Sequence, residues 1–474
     1  MQAHMPSTTH PDAFHFDRPV LSFWEATARP LDIATAPLAA DAECDVAIIG
    51  AGFTGLAAAL RLKSEYGMDV RVLEAGEPGW GASGRNGGFS CVGCHKRSYG
   101  SLIKSYGLDD TRRFYATMKE AIAWVRHLCQ AHGIDAWIHE GGEVTLAHLP
   151  NRWAELEEER DFMARLFGEK LKLLDIAELK AQGLWAPQFH GGLSSDVGFS
   201  IHPLNYVRGL ARAAANAGVK IHGRSRVIRW EERDGRHRLA SAGGTLTARH
   251  VIVATNGYTP EDVSPYHQGR LMPALSNIIV TRPLSEAERG EQGWTSRLMA
   301  FDTRNLLHYF RLLPGGEFMF GGRGGTDASD AAAAPMKQHM IATLNEMFPV
   351  FGKAEITHFW RGFVCLAYDL VPYVGALDAR KTVWTAIAYH GNGVAMASYS
   401  GTALADLIAG KPERANLPSV LTRRLARFPL AFLRPLYLKG AYLWFNYGDS
   451  RGKVTAPCSC NRRRETRRAS APRP

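Results

Sequence analysis

The chain has 474 residues, 46% apolar and 22% charged, a balance that provides an ordinary globular core and excludes a disordered or fibrous chain. Its length implies roughly two to three domains, and no run approaches the roughly 18 to 20 apolar residues that a membrane-crossing helix needs. The net charge of +10 sits at one end: residues 411–474 carry 15 Lys and Arg against 3 acidic residues, so the remaining body is close to neutral.

The first residues lack a basic start followed by an apolar run, so no secretory signal is read and a cytoplasmic location is expected. Asp45 to Gly50 (DVAIIG) reads as a buried parallel strand. It runs into Gly50-Ala51-Gly52-Phe53-Thr54-Gly55, a GxGxxG, followed by a helical pattern to Tyr66 and a second strand, Asp69 to Leu73, ending at Glu74. This strand–turn–helix–strand context makes the motif a dinucleotide-binding unit. Gly50 serves the tight turn, Gly52 the close approach of a pyrophosphate, and Gly55 the packing of helix on strand. The helix N-terminus favours the phosphates' negative charge. Glu74 is placed to accept hydrogen bonds from ribose hydroxyls and to disfavour a 2′-phosphate.

Gly79 to Gly88 (GWGASGRNGG) is dense in glycine, as a loop wrapping a large flat cofactor requires. Cys91 and Cys94, followed by His95, form a CxxC within a total of seven cysteines, an odd number that implies no disulfide framework. They read as small loop residues, with a redox or metal role as the alternative.

The strings GAGFTGLAAALRL, VLEA and WGASGRNGG resemble the FAD-dependent superfamily of D-amino-acid oxidase, glycine oxidase and sarcosine oxidase. Within it the resemblance is closest to the γ-glutamylputrescine oxidases, whose lead-in segment is similar to Ser22–Pro30 (SFWEATARP). The resemblance covers about Leu21 to Gly452. It implies FAD, held non-covalently, by the GxGxxG residues, Glu74 and Ala75, and by Gly81, Ala82, Ser83, Arg85, Asn86 and Gly87 of the glycine-dense loop. It places the backbone of Val227 at the adenine, and Thr255, Asn256 and Gly257 after the strand Val251 to Ala254. It also implies that Gly391, Asn392, Gly393 and Val394 open a helix whose positive end stabilises negative charge on reduced flavin.

Further along, His202 to Ala211 reads as a helix start, Val219 to Ile221 and Arg226 to Trp230 as strands, Asp234-Gly235 as a hairpin turn, and Ala331 to Ala334 as a short linker. The expected fold is α/β (α+β overall). A Rossmann-like FAD-binding domain of the glutathione-reductase type is assembled from residues 21–95, 196–265 and 359–415. An antiparallel-sheet substrate domain, residues 96–195 and 266–358, is inserted in it. Residues 416–452 form a packed C-terminal segment, and 453–474 a basic, disordered tail.

The resemblance implies oxidation of a C–N bond of a small amine, most of all γ-glutamylputrescine or a related polyamine derivative, to an aldehyde, with O2 as acceptor and H2O2 as product. The isoalloxazine carries the hard chemistry, so no catalytic triad is required. Amino-acid-oxidising relatives carry an arginine for the substrate carboxylate where this chain has Val364, with Arg361 nearby as a substitute. Met319 aligns with the lysine that assists O2 in sarcosine oxidases, and Gly362, not Cys365, with their flavin-linking cysteine. His390 and Tyr309 are the catalytic candidates and Tyr258 a further pocket residue. His390 reads either as a group titrating near neutral pH or as a hydrogen-bonded structural histidine, and Tyr309 either as a cavity wall or as a packed core tyrosine.

Leu421 to Tyr447 is apolar and basic together; a segment packed on the body is preferred over a membrane-surface element. Two other functions stay open. One is a D-amino-acid-type dehydrogenase feeding a quinone. The other is an RNA-binding flavoprotein acting on a modified nucleoside, although the neutral body argues against nucleic acid.

Overall fold

The computed structural model describes residues 10–451. Its first sheet runs in the order Arg229–Arg233, Arg236–Ser241, Gly244–Val253, Ala42–Ile49, Val70–Leu73, Lys220–His222. Val383–Ile387 joins alongside Gly244–Val253 and carries Tyr373–Ala376 on its far side. The inner strands are parallel, with Val46 opposite both Val70 and His250. Residues of a parallel sheet are covered on both faces, which is why Val46–Ile49 and Val251–Val253 are apolar throughout rather than alternating.

Three helices, Phe53–Tyr66, Pro203–Asn216 and Gly393–Ile408, pack together with this sheet. Phe53–Tyr66 and Gly393–Ile408 approach closely because Gly401 lacks a side chain: a Cβ there would lie 2.2 Å from the Thr54 carbonyl oxygen. Pro203–Asn216 starts where the sequence predicts. Pro203 occupies its first turn, and the His202 ring accepts the Asn205 N–H. The expected hairpin at Asp234-Gly235 is present, with positive φ of 52° and 74° between the paired residues Arg233 and Arg236.

The second sheet runs Ile356–Ala367, Leu271–Pro283, Glu317–Arg323, His308–Leu312, Met299–Asp302, Glu143–Leu146, Gly192–Ser195, Lys172–Leu174. It is antiparallel except where Met299–Asp302 meets Glu143–Leu146. Beneath it lies an aromatic core of Phe189, Trp294, Phe310, Phe318, Phe348 and Phe351.

Two expectations need correction. Ile356–Ala367 pairs with Leu271–Pro283 along its whole length, from Thr281 opposite Ile356 to Leu271 opposite Ala367. The stretch 359–367 therefore belongs to the second sheet, and the return to the first sheet begins only at Tyr373. Ala331 to Ala334 is not a linker: Ser329 caps a helical turn that continues into Ala333–Met347, as alanine's high helix propensity favours.

The C-terminal segment packs on the body along one side. Val420, Leu421, Leu425, Phe428, Ala431 and Leu438 are buried. The fully enclosed Arg434 pairs with Glu261 and donates to the Leu271 carbonyl. The tail expected at 453–474 lies outside the described residues.

Candidate active site

A cleft of about 1620 Å³ is lined by both sheets and runs from Glu74 and Val227 to Tyr309 and the Gly393–Ile408 helix. At its dinucleotide end the glycines are sterically required. Gly50 has φ +106°, and a Cβ on Gly55 would lie 2.0 Å from the Gly50 carbonyl oxygen. A Cβ on Gly52 would meet the Ser83 hydroxyl at 2.8 Å. Ser83 Oγ accepts the Phe53 N–H at 3.0 Å, so the glycine-dense loop is moored to the start of the first helix.

The Glu74 carboxylate accepts N–H groups from Ala51 at 2.6 Å and Gly76 at 2.9 Å. Burial pushes its pKa up, opposed by those bonds. Each oxygen keeps lone pairs for a further donor, which suits the ribose of a dinucleotide. Ala75, Gly81, Ala82 and Val227 line the same cleft.

The glycine-dense loop holds itself by its own side chains. Asn86 Nδ2 donates to the carbonyls of Ala82 and Ser83, and its Oδ1 accepts the Gly88 N–H. The Trp24 indole donates to the Asn86 carbonyl at 2.8 Å, which gives the lead-in SFWEATARP a physical task. Arg85 stacks 4.0 Å over Trp80 and donates to the carbonyls of Trp80 and Arg361. Gly87 lies under the Tyr309 ring, where a Cβ would come within 2.8 Å.

At the other end, Asn392 Nδ2 donates to the carbonyls of Val92 and Gly93. Asn256, at φ +45°, accepts the Ala388 N–H. Thr54 Oγ1 and the Tyr389 hydroxyl lie 2.9 Å apart, which brings the two helix N-termini together at the cleft. Thr255, Gly257, Gly391, Gly393 and Val394 also line it. The Gly393–Ile408 helix has no side-chain hydrogen bond at its N-cap, and Gly393 and Val394 of its first turn line the cleft.

His390 is not a cleft residue. Its ring is buried, Nδ1–H donates to the Cys94 carbonyl at 3.3 Å, and Nε2 accepts the Ala367 N–H at 3.2 Å. Burial pushes its pKa down to about 3. A neutral ring with both nitrogens engaged has no proton to exchange with a substrate, so the structural reading holds and the catalytic one falls. Tyr309 does line the cleft; its hydroxyl pairs with Ser276 at 2.9 Å, and burial pushes it up to about 12. A pKa moved in that direction leaves the hydroxyl protonated at neutral pH. Tyr258 packs in the wall against Trp80 and Phe363.

Val364 faces the cleft. Arg361 does not replace the missing arginine: its guanidinium is held by the carbonyls of Asp327, Ala328 and Ser329. Met319 is buried beneath the glycine-dense loop. Cys365 lines the cleft as a buried thiol whose pKa burial raises.

Several cleft residues escape sequence reading. Ser276 and Arg323 come from neighbouring strands of the second sheet, and Arg323 donates to the His390 carbonyl at 3.0 Å. Lys96 and Glu143 face the cavity, and burial pushes the Glu143 carboxyl up to about 8 against a hydrogen bond from Cys91. Leu438, Ala441, Tyr442 and Phe445 reach in from the C-terminal helix. Only the pairing of distant segments marks these residues.

Comparison with known proteins agrees with this geometry. The family described as "DAO: FAD dependent oxidoreductase" matches residues 45–407. The γ-glutamylputrescine oxidoreductase of Escherichia coli K12 is 32% identical over 79% of this chain and 87% of its own. A probable oxidoreductase, OrdL, of Haemophilus influenzae is 31% identical over 84% of this chain and 92% of its own. Glycine oxidase from Geobacillus kaustophilus shares the fold with a TM-score of 0.63 at 23% identity, covering 78% of this chain and 95% of that one.

Proposed function

This chain belongs to the DAO family of FAD-dependent oxidoreductases, and we propose that it oxidises a C–N bond in an amine that bears no carboxylate beside the reacting carbon, γ-glutamylputrescine or a related polyamine derivative. The amine, O2 and water give an aldehyde, the released amine or ammonia, and H2O2. Oxygen as acceptor rests on the resemblance to oxidases. When bound, FAD supplies the two-electron acceptor for the hydrogen on the carbon beside nitrogen.

The protein's own residues supply positioning and environment. The glycines at 50, 52 and 55 and Glu74 fit the dinucleotide half. The uncapped N-terminus at Gly393 offers N–H groups where negative charge develops. The walls formed by Leu271, Pro273, Val364 and Leu366 are apolar, and such surroundings favour the neutral amine over the ammonium. Tyr309, paired with Ser276, offers a fixed hydroxyl to orient a polar group of the substrate.

Val364 carries the substrate reading. It faces the cleft where relatives that grip an α-carboxylate have arginine, and Arg361 is tied elsewhere. The likeness to the E. coli enzyme supports the same choice. The test is anaerobic mixing of the holoenzyme with γ-glutamylputrescine. Bleaching of the flavin band, with recolouring in air, is expected. An unbleached flavin would remove this substrate, and bleaching without recolouring in air would remove O2 as acceptor.

A second reading, a D-amino-acid-type dehydrogenase passing electrons to a quinone, is favoured by Arg323. This arginine lines the cleft beside Gly391 while donating to the His390 carbonyl, and so puts a cation on a different strand from the one that carries Val364. Bleaching by D-amino acids but not by γ-glutamylputrescine would select it.

A further inference from the structure

The helix Arg434–Arg451 has two apolar faces. Arg434, Leu438, Ala441, Tyr442 and Phe445 follow one another at helical spacing and turn inward, the last four onto the cleft. Leu436, Leu443 and Trp444 occupy the opposite face and are 60%, 74% and 59% exposed. Leu430 and Phe432, just before the helix, are exposed as well. Of eleven exposed large apolar side chains among the described residues, seven fall between 430 and 447, so the exposure is one patch and not scatter. Apolar side chains gathered in this way mark a contact surface.

The surrounding charge says what it contacts. Arg423, Arg424, Arg427 and Lys439 are exposed in the same segment. The sequence from 452 to 474 adds seven basic residues against one acidic residue. Asp449, the acidic residue on the helix, is engaged with Asn305 and the Leu306 N–H. A second copy of the chain docked face to face would set these cations against their own kind. The chain's other segments do not supply a cover, because residues 1–9 and 452–474 contain no Leu, Ile, Phe, Tyr or Trp. Apolar side chains flanked by Lys and Arg, with Trp among them, suit the headgroup region of an anionic bilayer.

We propose that the outer face of the 434–451 helix docks the protein on an anionic lipid surface. No helix among the described residues is long and apolar enough to cross a membrane, so the contact is interfacial. The helix is about 10 Å thick and its inner face lines the cleft, so docking sets the cleft roughly one helix diameter from the lipid.

The test is sedimentation of the full-length holoenzyme with vesicles of phosphatidylcholine and phosphatidylglycerol in equal parts, and with phosphatidylcholine alone. Binding to the mixed vesicles is expected, weakened by high salt and reduced roughly tenfold or more in the L443E/W444E double variant. Both substitutions point away from the cleft, so flavin absorbance and turnover of a soluble substrate should match the parent. Protein that stays in the supernatant, or binding indifferent to both substitutions, overturns the proposal. So does a dimer seen by sedimentation velocity that dissociates in the double variant, which would assign the face to a second copy.

Discussion

The Thr54 hydroxyl and the Tyr389 hydroxyl are hydrogen-bonded at 2.9 Å, and this one bond joins two helix N-termini that begin 340 residues apart in the chain, at Phe53 and Gly393. Each N-terminus concentrates unpaired N–H groups, so their separation fixes how one bound FAD meets both. Thr54→Val keeps the shape and removes the bond. It should cost about 0.5–1.5 kcal/mol of stability and weaken FAD retention several-fold, measured by fluorescence of flavin released on dilution. Unchanged retention would mean that the helices are held by packing at Gly401 alone.

His390 gives a second prediction, because its ring joins the end of the Ile356–Ala367 strand to the loop at Cys94. His390→Ala removes two buried hydrogen bonds and should destabilise the protein by about 2–3 kcal/mol, read as a fall in Tm. The pH profile of kcat should keep its shape, since a histidine neutral down to about pH 3 does not titrate in the working range. A lost ionisation near neutral pH in the variant would restore His390 as a proton carrier.

How much was readable beforehand follows from the range of the forces involved. The GxGxxG turn, Glu74 and the glycine-dense loop are local, and their chemistry is written in contiguous residues. His390 adjoins the cleft glycines in sequence, where a pocket role and a structural one read alike; its burial and its bonds to the Cys94 carbonyl and the Ala367 N–H come from the folded chain. Residues 359–367 read with the FAD-binding domain because they adjoin it in the chain, whereas long-range pairing with 271–283 decides their sheet. Arg323 and Tyr442 enter the cleft only through tertiary contacts, which no periodicity reports.

Val364 tests the substrate class. Val364→Arg places a guanidinium in the cleft opposite Ala274, where a small neighbour leaves it room. The variant should gain measurable flavin reduction by simple amino acids such as glycine or sarcosine and lose tenfold or more in kcat/KM for the amine, since an ion pair to a carboxylate contributes on the order of 1.5–3 kcal/mol. Stopped-flow bleaching under anaerobic conditions separates this from any change in reoxidation. A variant that gains no amino-acid turnover while retaining its flavin would show that the carboxylate preference is set elsewhere, with Arg323 the first place to look.

Glu143 should make stability depend on pH in a specific direction. Its carboxyl, between Cys91 and the cleft, has its pKa pushed up to about 8 by burial, whereas in the unfolded chain it titrates near 4.3. Between those values the folded protein keeps a proton that the unfolded chain has released. Stability therefore falls as pH rises from about 4.3 to about 8, and below that window the shift has no effect. Glu143→Gln keeps the size and removes the titration. Because the side chain is partly reached by water in the cleft, the gain should be about 1–3 kcal/mol rather than the full value of the shift. It should appear as a Tm increase of several degrees near pH 9 that shrinks towards zero near pH 4.5. A gain independent of pH would mean that the substitution acts through packing, and no gain at high pH would mean that Glu143 is already ionised and solvated by the cleft at neutral pH.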